Sequence, residues 1–513
     1  MEQTIHWADV VANEALTKSD THIVATGITP SGNIHIGNMR EVVTADAVYR
    51  ALIDSGGNAD LIYIADTFDP LRKVYPFLDE SYQEHVGKPL SEIPCPCSKH
   101  SNYAQHFLEP FLQSLDKLDI HPKVILADEL YKEGAFVDAI KTALIKRDEI
   151  ANIIETVSSR TIDSEWSPFN PICSNCGRLT TTKVTDFDTD RQTVDYTCSC
   201  GSTGTVSMQG GGKLTWRVDW PARWPILGVT IEPFGKDHAS AGGSYDTGKR
   251  ISDEIYHYLA PHPIIYEWIM LKGKGAMSSS TGVTVSISDM LKIVPPEVLR
   301  YLIIRSKPEK HIEFDPGLPL LNLIDEYDNL SDDPEKSQDI RGYQLSQTKA
   351  DASAKIPFKH MVTAIQIADH SFDYLLTVLQ RGGYDVTDVE NIRQRADNAQ
   401  NWLTTFAPPM VKFTISKNLP PETRNFNAQQ REALRILSEK MSGYNDAQTV
   451  HDGIYTLARE MDISPKKLFT TIYQSLLGTR SGPRLGYFLV SMDRNFVVER
   501  FEEASSLNRL HMH

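Results

Sequence analysis

Over roughly the first 290 residues, short apolar runs alternate with longer stretches of helical periodicity. His22 to Thr26 is a compact apolar run that predicts a buried strand. Asn38 to Asp54 carries apolar residues at helical spacing, and Ala59 to Asp66 is a second apolar strand. Strands and helices alternating in this way predict βαβ units and a parallel sheet, so the fold class is α/β. From about 160 to 215 the pattern breaks into Ser, Thr, Gly and paired Cys, which predicts an insertion with a small fold of its own. After Pro295 and Pro296 the chain turns helical and basic. From about 360 onward it is nearly all helix with short Pro/Gly breaks, with Phe469, Ile472 and Leu476 on one face. Ser331 to Gln338 is a polar, flexible connection, and no repeat interrupts the series.

A chain of 513 residues exceeds what one core supports, so two to three domains are expected. No stretch approaches the ~20 apolar residues that span a bilayer. Met1 to Asp20 lacks the basic start and apolar run of a signal peptide, making a cytoplasmic protein without membrane association the expectation. A formal net charge of −15 argues against bulk electrostatic coating of nucleic acid. Local basic strips are enough for RNA, and two are visible. One is Arg300, Arg305, Lys307 and Lys310; the other is Lys466, Lys467, Arg480 and Arg484. For about half of these a solvated charged face is the alternative reading.

Six cysteines fall into two groups. Cys173-x-x-Cys176 and Cys198-x-Cys200 have the spacing of two zinc knuckles, four thiolates within tetrahedral reach. Cys95 and Cys97 precede His100 and His106, and two thiolates with two imidazoles would complete a second tetrahedral site. Disulfides are the alternative, disfavoured in a chain without a secretion signal.

The strongest catalytic pattern runs from Thr26 to Asn38, Thr-Gly-Ile-Thr-Pro-Ser-Gly-Asn-Ile-His-Ile-Gly-Asn. It joins the first strand to the first long helix, where open α/β sheets bind nucleotides. Glycines let the backbone approach phosphates, and a helix N-terminus attracts their charge. His35 and Asn38 can add donors where charge builds up in a transition state. The plainer reading is a β–α turn with a capping histidine. The Pro-Ser-Gly-x-x-His-x-Gly-Asn string, however, resembles the H-I-G-H signature of class I aminoacyl-tRNA synthetases. Lys272 to Gly282, Lys-Gly-Lys-Gly-Ala-Met-Ser-Ser-Ser-Thr-Gly, resembles their mobile K-M-S-K-S loop. Ser279 stands at the second motif lysine, as is common in the lysyl type. Ala276 stands at the first and is a departure, leaving Lys274 or Lys272 to supply charge.

Further segments resemble the class I lysyl-tRNA synthetases over essentially the whole chain. They are Asp66 to Val74, Trp216 to Trp224, Glu232 to Ala239, Gly242 to Gly248 and Gly482 to Leu489. The resemblance implies a Rossmann-type catalytic domain over 1–290, with zinc-binding segments at about 95–106 and 165–215. It implies a mixed stem-contact connective domain over 291–358 and an all-α anticodon-binding domain over 359–513. ATP would be held by Pro30, Gly32, Asn33, His35, Gly37, Asn38, Gly235, Asp237, Met277, Ser278 and Ser279. His35, Asn38, Lys274, Ser278 and Ser280 would act in catalysis. Gly27, Thr29, Trp220 and His238 fall where the family places amino-acid contacts.

A lysine substrate needs a carboxylate for its ammonium and an apolar or aromatic wall for its stem. Asp219, Tyr245, Tyr266 and Trp268 could supply them. The substrates would be L-lysine, ATP with Mg2+ and lysine tRNA, with one or two structural Zn2+ ions and a monomeric state. A glutamyl-type enzyme shares both signatures and would want Arg217 or Arg223 facing the pocket. A non-catalytic RNA-binding paralogue is favoured only by Ala276.

Overall fold

The computed structural model describes residues 5–273, 275–276, 286–332, 340–348 and 356–506. The chain divides into two compact units. The first comprises 1–291, 296–314 and 334–349; the second comprises 292–295, 315–333 and 350–513.

The first unit is built on a five-stranded sheet. Its strands are β1 (Thr21–Ile28), β2 (Asn58–Ala65), β3 (Lys123–Leu126), β9 (Ile231–Gly235) and β10 (His262–Tyr266), in the order β10-β9-β1-β2-β3. Every pairing is parallel. The predicted strands at 22–26 and 59–66 and the helix at 38–54 are therefore present, the helix starting two residues earlier as Ile36–Asp54. That helix is buried on most sides by Met39, Val42, Val43, Ala47 and Val48, so little amphipathic face remains. β2 and β3 add to one side of β1 and β9 and β10 to the other. The strand order thus reverses between β1 and β9, and open α/β sheets form their ligand crevice beyond the carboxyl ends at such a switch point.

The predicted insertion is also present. β4 (Phe169–Pro171) pairs with β8 (Gly212–Leu214), while β5 (Thr182–Asp188), β6 (Thr193–Cys198) and β7 (Thr203–Ser207) form an antiparallel meander. A last small sheet contains β11 (Ile269–Leu271), β12 (Gly275–Ala276) and β13 (Ile312–Phe314).

The second unit is helical among its described residues, from Leu318–Asp332 to Arg494–Ser506. Ile472 and Leu476 are fully buried on the face predicted for them. A cavity of about 530 Å3 opens in this unit, with His360, Tyr384, Phe413, Arg484 and Tyr487 on its wall. Residues 333–338 of the polar connection lie outside the described residues. One basic strip is corrected: Arg300 is fully buried, donating to Asp46 and to the carbonyls of Leu118 and Leu345, and is no surface cation. Its helix, Pro296–Ile304, is buried nearly all round, which removes the solvent face the strip required.

Candidate active site

The turn after β1 carries the first signature into the crevice. His35 is the N-cap of the helix Ile36–Asp54, and its Nδ1 accepts from the Gly37 N–H at 3.1 Å. Asn38 Oδ1 accepts from the His35 N–H at 3.3 Å, closing a reciprocal capping box. The capping reading and the donor reading are therefore compatible. With Nδ1 accepting, a neutral ring carries its proton on Nε2, and burial pushes the His35 pKa down to about 4. His35 is thus a neutral donor at physiological pH, while the Asn38 amide nitrogen is not used by the cap. Pro30 and Gly32 are buried in the turn, and Asn33 is exposed.

The second signature approaches from the other side. β11 and β12 form a hairpin through Lys272 and Gly273, and Gly273 has φ +76°, a conformation glycine adopts without strain. Lys274, Met277, Ser278, Ser279 and Ser280 lie outside the described residues. Ser286, just beyond them, forms an antiparallel bridge with His35. Both ends of this segment are therefore described, and its exit is bonded to the first signature.

Beyond β9, Gly235 is followed by the one-turn helix Lys236–Ala239, which carries Asp237 and His238. Asp237 is exposed; His238 is half-buried, 5.5 Å from the Trp220 ring at 60°. Burial lowers the His238 pKa. Trp220, Trp224, Phe234 and Tyr245 form one aromatic cluster. Tyr245 donates to the Pro261 carbonyl at 2.8 Å. Trp268 is exposed, with the Lys236 ammonium 4.4 Å from its ring centre and 2.6 Å from Glu267.

The carboxylates of the site fall into two kinds. Asp219 is fully buried, and both its oxygens are taken, one by Tyr131 and the other by Arg223. Lys213 lies 3.7 Å away, Asp66 also accepts from Arg223, and Asp69 accepts from Lys213 and, at 2.8 Å, from Thr29 Oγ1. This corrects the expectation that Asp219 faces an amino-acid pocket: it has no free surface and already sits beside two cations. Burial alone would raise Asp69, but Lys213 and the Thr29 hydroxyl outweigh it and hold the carboxyl below its ordinary value. The arginines considered for glutamate are engaged as well. Arg223 is in this cluster, and Arg217 donates to the Gly243 carbonyl and to Thr247 Oγ1.

Glu41 and Glu232 are the other kind, and neither was anticipated. Glu41, partly exposed, accepts from the Gly27 N–H and Thr26 Oγ1 at 2.8 Å and from the Tyr266 hydroxyl at 2.7 Å. Glu232 accepts from the indole N–H groups of Trp220 at 3.0 Å and Trp224 at 2.7 Å. Among the described residues neither makes an ion pair. Burial pushes both carboxyls up, Glu232 to about 7, and each repulsion between them adds to the rise at Glu232. Two anions held by neutral donors around Gly27, Trp220 and Tyr266 are suited to receive a cation from outside. No sequence clue marks Glu41, because its helix also carries Arg40, Asp46, Arg50 and Asp54.

Two clusters have the geometry of metal sites. The sulfurs of Cys173 and Cys200, and of Cys176 and Cys198, are each 3.7 Å apart, and all four ligand atoms lie within 4.8 Å of one another. Bonds of about 2.3 Å to a tetrahedral ion require sulfurs about 3.8 Å apart, so this set fits. Cys95 and Cys97 lie 3.2–3.6 Å from Nδ1 of His100 and His106, with the sulfurs 3.4 Å apart. These separations are those of ligands around one ion, and all six cysteines are free of disulfides. Hydrogen bonds from Ser202 lower the Cys200 pKa to about 5, favouring the thiolate that a metal takes.

The family model of tRNA synthetases class I (K) matches residues 5–352. The chain belongs to this family. Among curated relatives of this class I (K) member, a lysine–tRNA ligase of Methanosarcina barkeri is 57% identical over 530 residues, 99% of each chain. The lysine–tRNA ligase of Archaeoglobus fulgidus is 46% identical over 502 residues, 98% of this chain and 100% of its own. That of Methanocaldococcus jannaschii is 42% identical over 531 residues, 97% of this chain and 99% of its own. Membership accounts for the parallel sheet with the first signature at its switch point, and no helix among the described residues is long and apolar enough to cross a membrane.

Proposed function

We propose that this chain is a lysine–tRNA ligase that joins L-lysine to lysine tRNA through a lysyl-adenylate. The observation that carries the amino-acid choice is the pair Glu41 and Glu232, carboxylates with no ion-pair partner among the described residues, beside an aromatic wall. They attract an ε-ammonium and repel a glutamate side chain, and Arg217 and Arg223 are already engaged. A glutamyl-type reading is therefore not favoured.

The lysine carboxylate attacks the α-phosphate of ATP in line. The bond to the β-phosphate breaks, and pyrophosphate leaves. The enzyme contributes positioning and charge stabilisation. Pro30, Gly32, Asn33 and Gly37 cradle the nucleotide from the first turn, with Gly235 and Asp237 across the crevice. His35 Nε2–H and the Asn38 amide donate to the triphosphate as its charge shifts. Lys274, Met277, Ser278, Ser279 and Ser280 are the second-signature residues that would contact it, Lys274 supplying the charge that Ala276 lacks. Mg2+, when bound with ATP, would supply counter-charge to the triphosphate. Gly27, Thr29, Trp220, His238, Tyr245 and Tyr266 line the lysine side, and Glu41 takes the ammonium in place of Asp219. A 2′ hydroxyl of the tRNA terminal adenosine then attacks the adenylate, releasing AMP.

Zn2+ is the ion that best suits both cysteine clusters, holding their loops as a structural cross-link. Residues 291–358 are read as the tRNA stem contact and 359–513 as the anticodon-binding domain of a cytoplasmic monomer. The exposed Lys466, Lys467, Arg480 and Arg484 support the latter.

Lysine-dependent ATP–pyrophosphate exchange, with and without lysine tRNA, tests this reading. Exchange with glutamate and none with lysine under both conditions overturns it. His35→Ala or Asn38→Ala should slow exchange about ten- to a thousandfold with lysine binding nearly unchanged.

A further inference from the structure

The two metal clusters differ in where their neighbours lead. Beside the four-cysteine cluster, Arg178 donates to the Val86 carbonyl at 3.0 Å and the Leu179 N–H to the Gly87 carbonyl at 2.8 Å. Those contacts tie the insertion to the segment before the helix Tyr103–Lys117, not to the nucleotide turn.

The other cluster borders the turn itself. Cys95, Cys97 and His100 precede that helix, and His106 lies in its first turn. An ion on these four ligands therefore ties the loop to the helix start. Tyr103, the first helical residue, is fully buried. Its N–H donates to the Ile93 carbonyl at 2.8 Å, and its ring lies 5.0 Å from Phe107. Phe107 in turn meets the His106 ring edge-on at 4.6 Å. The Tyr103 hydroxyl points the other way and donates to the Ser31 carbonyl at 2.8 Å, inside the Pro30-Ser31-Gly32 turn. The Ser31 N–H is already bonded to the Thr29 carbonyl at 2.8 Å, so this turn is held at both of its backbone polar groups. One rigid ring thus connects a metal-set helix start to a carbonyl of the nucleotide turn.

We propose that Tyr103 is a positioning residue through which the metal at Cys95, Cys97, His100 and His106 sets the nucleotide turn and with it the affinity for ATP. The inference rests on the proposed function only in taking ATP as the ligand of that turn.

Calorimetric binding of a non-hydrolysable ATP analogue to wild type, Tyr103→Phe, Cys97→Ser and the double variant tests it, with zinc content measured on each. Tyr103→Phe removes one hydroxyl and should keep its full metal complement while binding the analogue about three- to tenfold more weakly. In pyrophosphate exchange the KM for ATP should rise in proportion and kcat should hold. Cys97→Ser should lose one equivalent of zinc and bind at least as weakly. The double variant should bind like Cys97→Ser, because two changes on one route do not add. Should Cys97→Ser fail to fold, amide exchange in Tyr103→Phe decides: residues 31–33 should lose protection with zinc retained. Wild-type affinity in Tyr103→Phe, unchanged protection at 31–33, or additive losses overturn the coupling. Wild type that shows no lysine-dependent exchange overturns the function instead, so the two failures are distinguishable.

Discussion

Asp66, Asp69 and Asp219 form ion pairs with Lys213 or Arg223, whereas Glu41 and Glu232 accept hydrogen bonds only from hydroxyls, an amide and two indoles. A carboxylate removed from water is costly unless it is paired. In the aspartate cluster the chain supplies its own cations, and one member, Asp69, uses that stability to hold Thr29 at the nucleotide turn. In the glutamate pair no ion pair offsets burial, and both carboxyls rise in pKa, as Asp66 does even beside its cations. The first arrangement is scaffold. The second is poised for a cation that arrives with the substrate.

The comparison breaks most visibly at Arg223. Arg223→Met leaves Asp66 and Asp219 with Lys213 alone and should cost about 3–5 kcal/mol of stability in denaturant unfolding. Unchanged stability with a changed lysine KM would reverse the two assignments. Glu41→Gln should do the opposite, raising the lysine KM roughly 30- to 1000-fold. Its unfolding midpoint should not fall, since a carboxylate that burial disfavours and no ion pair offsets is replaced by a neutral amide. A normal lysine KM in this variant would falsify the role given to Glu41.

Acidity sharpens the contrast further. Glu232 rises from an ordinary 4.5 to about 7 in the folded chain, so between these values the native state keeps a proton that the unfolded chain has lost. This contribution to stability is present below about pH 4.5 and is lost as pH rises to 7, on the order of 3 kcal/mol at most. Lysine binding needs the anion, so its KM should fall as pH rises from 6 to 8. His35, with a pKa of about 4, stays neutral throughout and does not contribute. A lysine KM flat over that range argues against coupling to Glu232. The smallest effect is expected for Trp220→Phe, which removes one donor from Glu232 and should raise the lysine KM about two- to tenfold.

Local signals in the chain were readable and long-range pairings were not. The run His22–Thr26, the capping string around His35 and the cysteine spacings each depend on near neighbours, and each has the expected local structure. Glu41 was hidden because its helix is buried on most sides, so periodicity offers no face against which a charge stands out. Asp219 was misplaced for the converse reason. Its partner Arg223 is visible four residues on, but Tyr131, 88 residues earlier, and Lys213 across the site are not. Arg300 looked like surface charge until Asp46, 254 residues away in sequence, accounted for it.

The sheet order also governs when the molecule can acquire its chemistry during synthesis. β1 and β2 pair early, but the other edge of β1 waits for β9, with Val24 facing Ile231. Closing so long a loop is entropically slow, and no shorter local pairing substitutes for it. Translation at about 5–20 residues per second leaves that edge of β1 open for roughly 10–40 s. Until β9 and β10 emerge there is no crevice, and Glu41 lacks Tyr266 as a donor. The nascent chain therefore carries an open edge of β1 well before it can bind a substrate.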